Sequence, residues 1–465
     1  MKRRGFHRIV QEQTGSSLLM TLVMITIVTI LISAIIALYL AQYRFIRRDA
    51  HRLQARYAAE AGVYVAMDSL RLNPHWRPID TVIDLLEGQT SRVTVEAFGG
   101  YLYIRSTAPY RRSRSTVRAF VGEVPPTEFH NAVYLWDTES SMHVAGTTRI
   151  TGDIVVGRRG MRKSTFKRRR FTGRIDGRVH RVPGLKAPFF DGHVLEQSLE
   201  ALEWYLVGLP GSSPPPEQRL PLAKRLPGDN RVHRVAGPLR LTTADSLLLR
   251  EPLTVVARGN LTLEGPLHFR PGTIFITAQT LKINDEVTGR EGLFFGREGI
   301  ETSGAVHLSG QLFSRKDIRI ASEAYLRYPS VLYVTGEAAE TGGGILVEED
   351  AVVNGTILHP PIDPLPAIAQ GRIIVEPAAV VRGTIFNAHE TEFHGELYGS
   401  LLTRQLYFYE SPTSYINWLK DTVVDVDERP IKYVLPLRFS LMPRLAVLNW
   451  EVHIEEPEAV EMLDE

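Results

Sequence analysis

The chain has 465 residues, a formal net charge of +2 and no cysteine. Its length allows two or three domains, and the near balance of charge excludes a polyelectrolyte. The missing cysteines exclude disulfides, thiolate metal sites and a cysteine nucleophile. With 37 glycines and 28 prolines among short apolar runs, the composition points to many short strands and turns rather than a helical bundle.

Residues 1–15 carry Lys2, Arg3, Arg4 and Arg8 against one acid, Glu12, and no charge occurs from Gln13 to Tyr43. The apolar core of that run, Leu18 to Ala41, rises as a helix through roughly 36 Å, enough to cross a bilayer. It is too long for the apolar region of a secretory signal, so an anchor is expected. Arg44, Arg47, Arg48, Arg52 and Arg56 follow, leaving charge alone nearly neutral on orientation. The short N-terminus and large C-terminal body favour N-in, C-out. Residues 44–72 contain no proline and one glycine, Gly62. Ala59, Val63, Ala66 and Leu70 fall on one helical face, and Asn73-Pro74 ends the helix. A single rod from Ser16 to Leu72 would be on the order of 85 Å long.

A basic leader ending in Gly15, an uncharged helix and then YAAEAG (57–62) resemble the N-terminus of PilX-type minor pilins of type IV pilus systems. The resemblance covers about the first 125 residues. It implies cleavage after Gly15 by a prepilin peptidase, with Ser16 as the new N-terminus. It also implies assembly through a helix carrying Leu18, Leu22, Ile25, Ala58, Glu60, Ala61 and Gly62. Major pilins place a glutamate five residues into the mature chain, where this chain has Met20.

Residues 73–126 read as a small antiparallel sheet. Arg92–Phe98, Tyr101–Thr107 and Ser115–Gly122 form three short strands, with Gly99-Gly100 as a hairpin turn. The pattern YLYIRSTAPYRRSRSTVRAFV again resembles the PilX-type group. Pro125-Pro126 marks a linker.

Residues 127–415 carry an irregular repeat of a glycine, one further residue and two large apolar ones. It appears as GTIF (272–275), GLFF (292–295), GQLF (310–313), GTIL (355–358), GTIF (383–386) and GSLL (399–402). Gaps near 20 residues, filled by strands such as LTLEG and VHLSG, point to a β-solenoid, a parallel β-helix. Ile274, Phe294, Leu312, Ile357, Ile385 and Leu401 are expected to stack along one core. The alternative architecture is a β-sandwich. The solenoid loosely resembles the β-helices of bactofilins.

Residues 158–181 hold eleven Lys or Arg and one acid, Asp176. This segment reads as a basic insertion in the solenoid. Lys167, Arg168, Arg169 and Arg170, flanked by Phe166 and Phe171, suit a polyanion, either nucleic acid or an acidic glycan. Residues 208–230 form a Pro-rich loop, preceded by a helix over 193–206. A short helix over 415–420 would cap the solenoid. Residues 416–465 then supply two cap strands over 431–454 and an acidic tail.

The sequence lacks Walker, GxSxG and HExxH motifs. His389 and His394 in HETEFHGE point to opposite faces of a strand and do not chelate one ion. Asp285, Glu286, Glu301, Asp317 and Glu323 lie at scattered turns. No metal, cofactor or catalytic residue is expected. The expected role is that of a membrane-anchored, pilin-like structural protein of a bacterial inner membrane. It would pass the membrane once, meet lipid and other pilin-like subunits or its own copies, and project a solenoid into the periplasm or at the cell surface. An anchored bactofilin-like scaffold is the alternative, and a surface polysaccharide-active enzyme the weaker one.

Overall fold

The computed structural model describes residues 6–72, 79–85, 88–137, 139–207, 218–219, 232–245, 251–361 and 371–455. It is mainly β, with one long N-terminal apolar helix, a small antiparallel sheet and a large parallel β-solenoid. Helix α1 (Phe6–Leu72) runs unbroken for 67 residues, about 100 Å at helical rise. Its last third lies on the small sheet. Ala58, Ala59, Val63, Ala66 and Leu70 pack against Val93, Val95, Leu102, Ile104, Val117 and Ala119, so the predicted helical face is the buried one.

The sheet holds β1 (Ile79–Asp84), β2 (Thr90–Phe98), β3 (Tyr101–Tyr110) and β4 (Ser113–Glu123), all antiparallel. It has five strands where the pattern suggests three. The fifth is the C-terminal strand Leu445–Glu455, paired along β4. Two cap strands over 431–454 are therefore replaced by one, and it joins the small sheet instead of closing the solenoid. Leu445 and Val447 extend the apolar layer under α1. The expected helix at 415–420 is also replaced by strands, Thr413–Ile416 and Trp418–Lys420. Leu419 enters the solenoid core while Trp418 and Lys420 are half-buried beside it, the period of two that a strand requires.

The solenoid stacks in register. Phe275, Phe294, Leu312, Leu332, Ile357, Ile385 and Leu401 occupy one ladder, all in one buried core. Ile274 is the exception to the expected ladder. GTIF (272–275) sits one residue out of step, so Phe275 takes the core place and Ile274 pairs with Leu293 instead.

The coils do not follow chain order from end to end. Leu401–Thr403 pair with residues 133–135, which pair with 154–156, and these with 179–181. The first solenoid residues of the chain are thus stacked beyond the last. Met161–Lys163, Arg174–Asp176 and Val179–Arg181 form the final coil. The basic stretch 158–181 is an end coil, not an insertion.

Outside the core ladder runs a second apolar column: Val256, Ile276, Phe295, Phe313, Tyr333, Leu358, Phe386 and Leu402. It is covered by α2 (His193–Trp204) through Leu195, Leu199 and Leu202, by aromatic residues of the small sheet, and by residues 433–439. Gln311 fastens the hairpin tip of the small sheet to this face. Its Nε2 donates to Phe98 O at 2.7 Å and its Oε1 accepts from Gly100 N at 2.7 Å. Ser198 of α2 donates to Gly99 O at 2.7 Å.

Gly355, Gly383 and Gly399 align in successive coils, with φ of +158°, +147° and +153°. A Cβ at Gly383 would collide with the carbonyl oxygen of Gly355. Gly383→Ala is therefore expected to destabilise the chain by more than about 2 kcal/mol. At Gly184, where φ is +68° and the space is open, the change to alanine should cost only the left-handed backbone term of about 1–2 kcal/mol. Thermal unfolding of the two variants side by side checks this order.

Candidate functional site

Helix α1 has two surfaces of different character. Leu18, Leu22 and Ile25 are 73%, 62% and 65% exposed, as are the apolar side chains around them. Ser17–Arg71 contains a stretch with mean hydropathy 2.8, long and apolar enough to cross a membrane. Gly15 and Ser16 lie within the helix, which continues through them without a break. Farther on, Ala58 and Gly62 face the chain's own sheet and are not available to a partner. A Cβ at Gly62 would strike Ser91 and Ser106, whose hydroxyls meet at 2.6 Å. Glu60 pairs with Arg56 at 2.8 Å on the flank of the helix, beside half-buried Ala61. At this level the exposed residues are Tyr57, Tyr64 and Val65.

In the end coil, Phe166 and Arg169 bracket a two-residue turn with reciprocal backbone bonds of 3.0 and 2.8 Å. Lys167 and Arg168 sit at its tip with φ of +45° and +69°, the place where a hairpin prefers Asn-Gly. Arg168, Arg169 and Arg170 are exposed. Lys167 is paired with Glu410. The two phenylalanines are not stacking platforms. Phe166 is buried among Phe408, Tyr415 and Trp418, and Phe171 packs on the solenoid core. Any polyanion contact here rests on charge alone.

Beside the end coil a polar cleft of about 570 Å³ opens between Arg149, Arg174, Arg382, Tyr398 and Asp425. Its charges are of both signs. Of the turn carboxylates, Glu301 and Glu323 line one cleft with Arg319 and Glu348. Asp285 accepts from Ala305 N at 2.7 Å, and Asp317 from Gly344 N at 2.9 Å. Among the described residues no group of three or more His, Asp or Glu is arranged to hold a metal ion. His394 contacts Glu392 at 3.1 Å, while His389 points inward to Pro360 O at 3.0 Å.

His389 has a partner that sequence reasoning missed. His359 lies in the neighbouring coil, opposite Asn387, and the two histidine ring centroids are 4.6 Å apart. Both rings are buried. Among the described residues neither ring nitrogen of His359 has a hydrogen-bond partner. Burial, then the neighbouring His389, pushes His359 down to about 3, and burial pushes His389 down to about 4. His359 follows GTIL directly while His389 lies three residues after GTIF, and that offset of two hides the pair in the sequence.

No family model matches the chain, and no curated protein matches it. A comparison of folds pairs it with the competence-associated pilin ComZ from Thermus thermophilus. The pairing has 11% identity, 87% of this chain, 98% of that chain and a TM-score of 0.22. At that TM-score the likeness carries no argument about fold or function.

The histidine pair sets a pH dependence. The unfolded chain takes up both protons near pH 6.5, while the folded chain resists them to about 3 and 4. Stability is therefore full above 6.5 and falls as the pH drops towards 4, by up to about 2.7 kcal/mol per pH unit for the two groups. His359→Leu should reduce that slope by roughly half, read from denaturant unfolding at pH 7, 6 and 5.

Proposed function

We propose that the chain is a membrane-anchored, pilin-like structural protein without enzymatic activity. It assembles through α1 with other pilin-like subunits and holds a rigid solenoid outside the bacterial inner membrane. The observation that carries this reading is the division of one unbroken helix. Residues 17–43 of it are uncharged, apolar and exposed over a bilayer's thickness, while its last third is packed on an antiparallel sheet. A chain that exposes so much apolar helix needs lipid or other helices around it. The leader ending at Gly15 adds the PilX-type pattern, with cleavage before Ser16. Met20 in place of glutamate makes it a non-standard member of such a set.

An anchored scaffold that polymerises through its solenoid ends fits less well. The end coil is strongly basic, and desolvating its cations to form a dry end-to-end interface is costly. A glycan-active enzyme fits less well, since Asp285 and Asp317 accept from backbone N–H groups and Glu301 and Glu348 are paired with Lys282 and Arg319.

Mass measurement of the N-terminus of protein purified from membranes tests the main reading. A mature chain beginning at Ser16 is expected, with Gly15→Val leaving the leader in place. An intact Met1 in assembled, functional protein overturns the pilin-like reading and leaves the anchored scaffold.

The end coil is proposed as the contact for a polyanion. K167N/R168G suits the left-handed turn while removing two charges, and R169Q/R170Q removes two more. The combined variant should fold normally and lose retention on immobilised heparin at lower salt than the parent chain, because each cation neutralising an anionic group adds to the salt dependence. Unchanged elution sinks the polyanion contact.

A further inference from the structure

One long face of the solenoid carries cations without acids. His268, Thr288, His307, Tyr325, Val352 and Val380 pair from coil to coil and form one outward column. The residue after each is buried, and the one beyond it turns outward again, by the period of two that a strand imposes. Those second positions are Arg270, Arg290, Ser309, Arg327, Asn354 and Arg382. The strip therefore holds four arginines and neither Asp nor Glu in its two columns. With coils about 4.8 Å apart it is roughly 24 Å long, and two residues of strand make it about 7 Å wide.

The four guanidiniums are not neutralised. Arg270 and Arg290 are exposed, while Arg327 and Arg382 are half-buried. None of the four joins an ion pair among the described residues. Arg327 donates to His307 O at 2.8 Å, and Arg382 lies 5.6 Å from the centre of the Tyr398 ring. Glu291, next to Arg290, is committed to the small sheet. It accepts from Tyr103 Oη at 2.8 Å and from Asn449 Nδ2 at 3.2 Å. Glu286, Glu323 and Asp350 stand at the other corner of the coils, in left-handed turns, four residues or roughly 13 Å along the strand from the arginine column. Past Arg382 the same two columns bring Glu396 and Asp425, so the acid-free strip ends there.

Shape and charge density select the partner. The strip is straight and wide enough for one extended polymer chain. Its cations stand on average one per roughly 8 Å, against one phosphate per about 1.7 Å of duplex DNA. Single-stranded nucleic acid would need open rings on which to stack, and the rings of His307 and Tyr325 lean on each other at 5.9 Å. Ser309 and Asn354, between the arginines, are buried and bonded to backbone groups, so they leave gaps in the ladder. A guanidinium fork matches a carboxylate through two parallel bonds. The fitting ligand is thus a single chain with carboxylates set at intervals and hydroxyl groups between them.

We propose that this strip binds an acidic polysaccharide, laid along the solenoid axis with its carboxylates on Arg270, Arg290, Arg327 and Arg382. The site is separate from the basic turn of the end coil.

The test measures binding of the detergent-solubilised full chain to immobilised hyaluronan, which carries a carboxylate on every second sugar, with neutral dextran and an oligothymidylate as comparisons. The expected result is binding to hyaluronan that salt weakens and no binding to dextran. R270Q/R290Q changes only exposed side chains and should weaken hyaluronan binding by on the order of tenfold or more, since two charge-assisted pairs are lost. R327Q/R382Q should do the same, and R270K/R290K should retain part of the affinity. Thermal unfolding that matches the parent shows that the solenoid is intact. K167N/R168G/R169Q/R170Q should leave hyaluronan binding unchanged. Absence of hyaluronan binding by the parent chain overturns the proposal. So does binding that survives R270Q/R290Q, or that is lost only with the end-coil variant. Tighter binding of oligothymidylate, abolished by R270Q/R290Q, assigns the strip to nucleic acid and overturns it as well. None of these outcomes bears on the membrane-anchored reading.

Discussion

The arrangement of the molecule depends on the contact between the tip of the small sheet and the outer face of the solenoid. Gln311 is buried, and its amide is used on both sides, donating to Phe98 O and accepting from Gly100 N. Around it the rings of Phe98, Tyr101, Tyr103 and Phe120 interlock at centroid distances of 4.9–6.3 Å. A buried side-chain amide with both functions satisfied cannot slip without leaving polar groups unpaired. Glu123 acts in the same way at the far edge of β4, accepting from the backbone N–H groups of Arg438 and Phe439 at 2.7 and 2.9 Å. Since α1 is packed on the other face of the sheet, its direction relative to the solenoid is set by these few bonds.

The same contact explains the repeat. A strand with two adjacent large apolar residues points one inward and one outward. In GLFF, Phe294 enters the core and Phe295 faces out; in the later GTIF, Ile385 enters and Phe386 faces out. The outward column is covered along the solenoid by α2, the small sheet and residues 433–439. Arg315 locks α2 in place through both carboxylate oxygens of Glu203, at 2.8 and 2.9 Å. Tyr333 adds a bond to Glu196 at 2.6 Å.

Much of this was legible in the residues. The uncharged run, the buried face of α1 at Ala59, Val63, Ala66 and Leu70, the Gly99-Gly100 hairpin and the solenoid texture all follow from local periodicity, which needs only near neighbours. What escaped the sequence depended on distant partners. The paired apolar residues of GLFF and GTIF imply a covered outer face, yet nothing local says that α2 and the small sheet cover it. The strand over Leu445–Glu455 is as apolar as a solenoid strand, and only the free edge of β4 draws it away. The end coil looks like an insertion because its charges hide Ile175 and Val179, which continue the columns of Ile150 and Ile154.

A parallel solenoid is an open stack, and each end presents a row of unpaired backbone groups that invites another copy. This chain treats one end in an unusual way. It lays its earliest coils beyond its last and finishes with a coil whose outward side chains are mostly arginine and lysine. Such an edge repels a second basic edge, and desolvating those cations to form a dry interface would be costly. End-to-end growth is therefore opposed by the same residues that could hold a polyanion. With the solenoid face covered by α2 and the small sheet, the largest run of exposed apolar side chains among the described residues is that of α1. Contact between copies through the β structure is thus disfavoured, which is the division of labour that the proposed anchored, helix-assembled subunit requires.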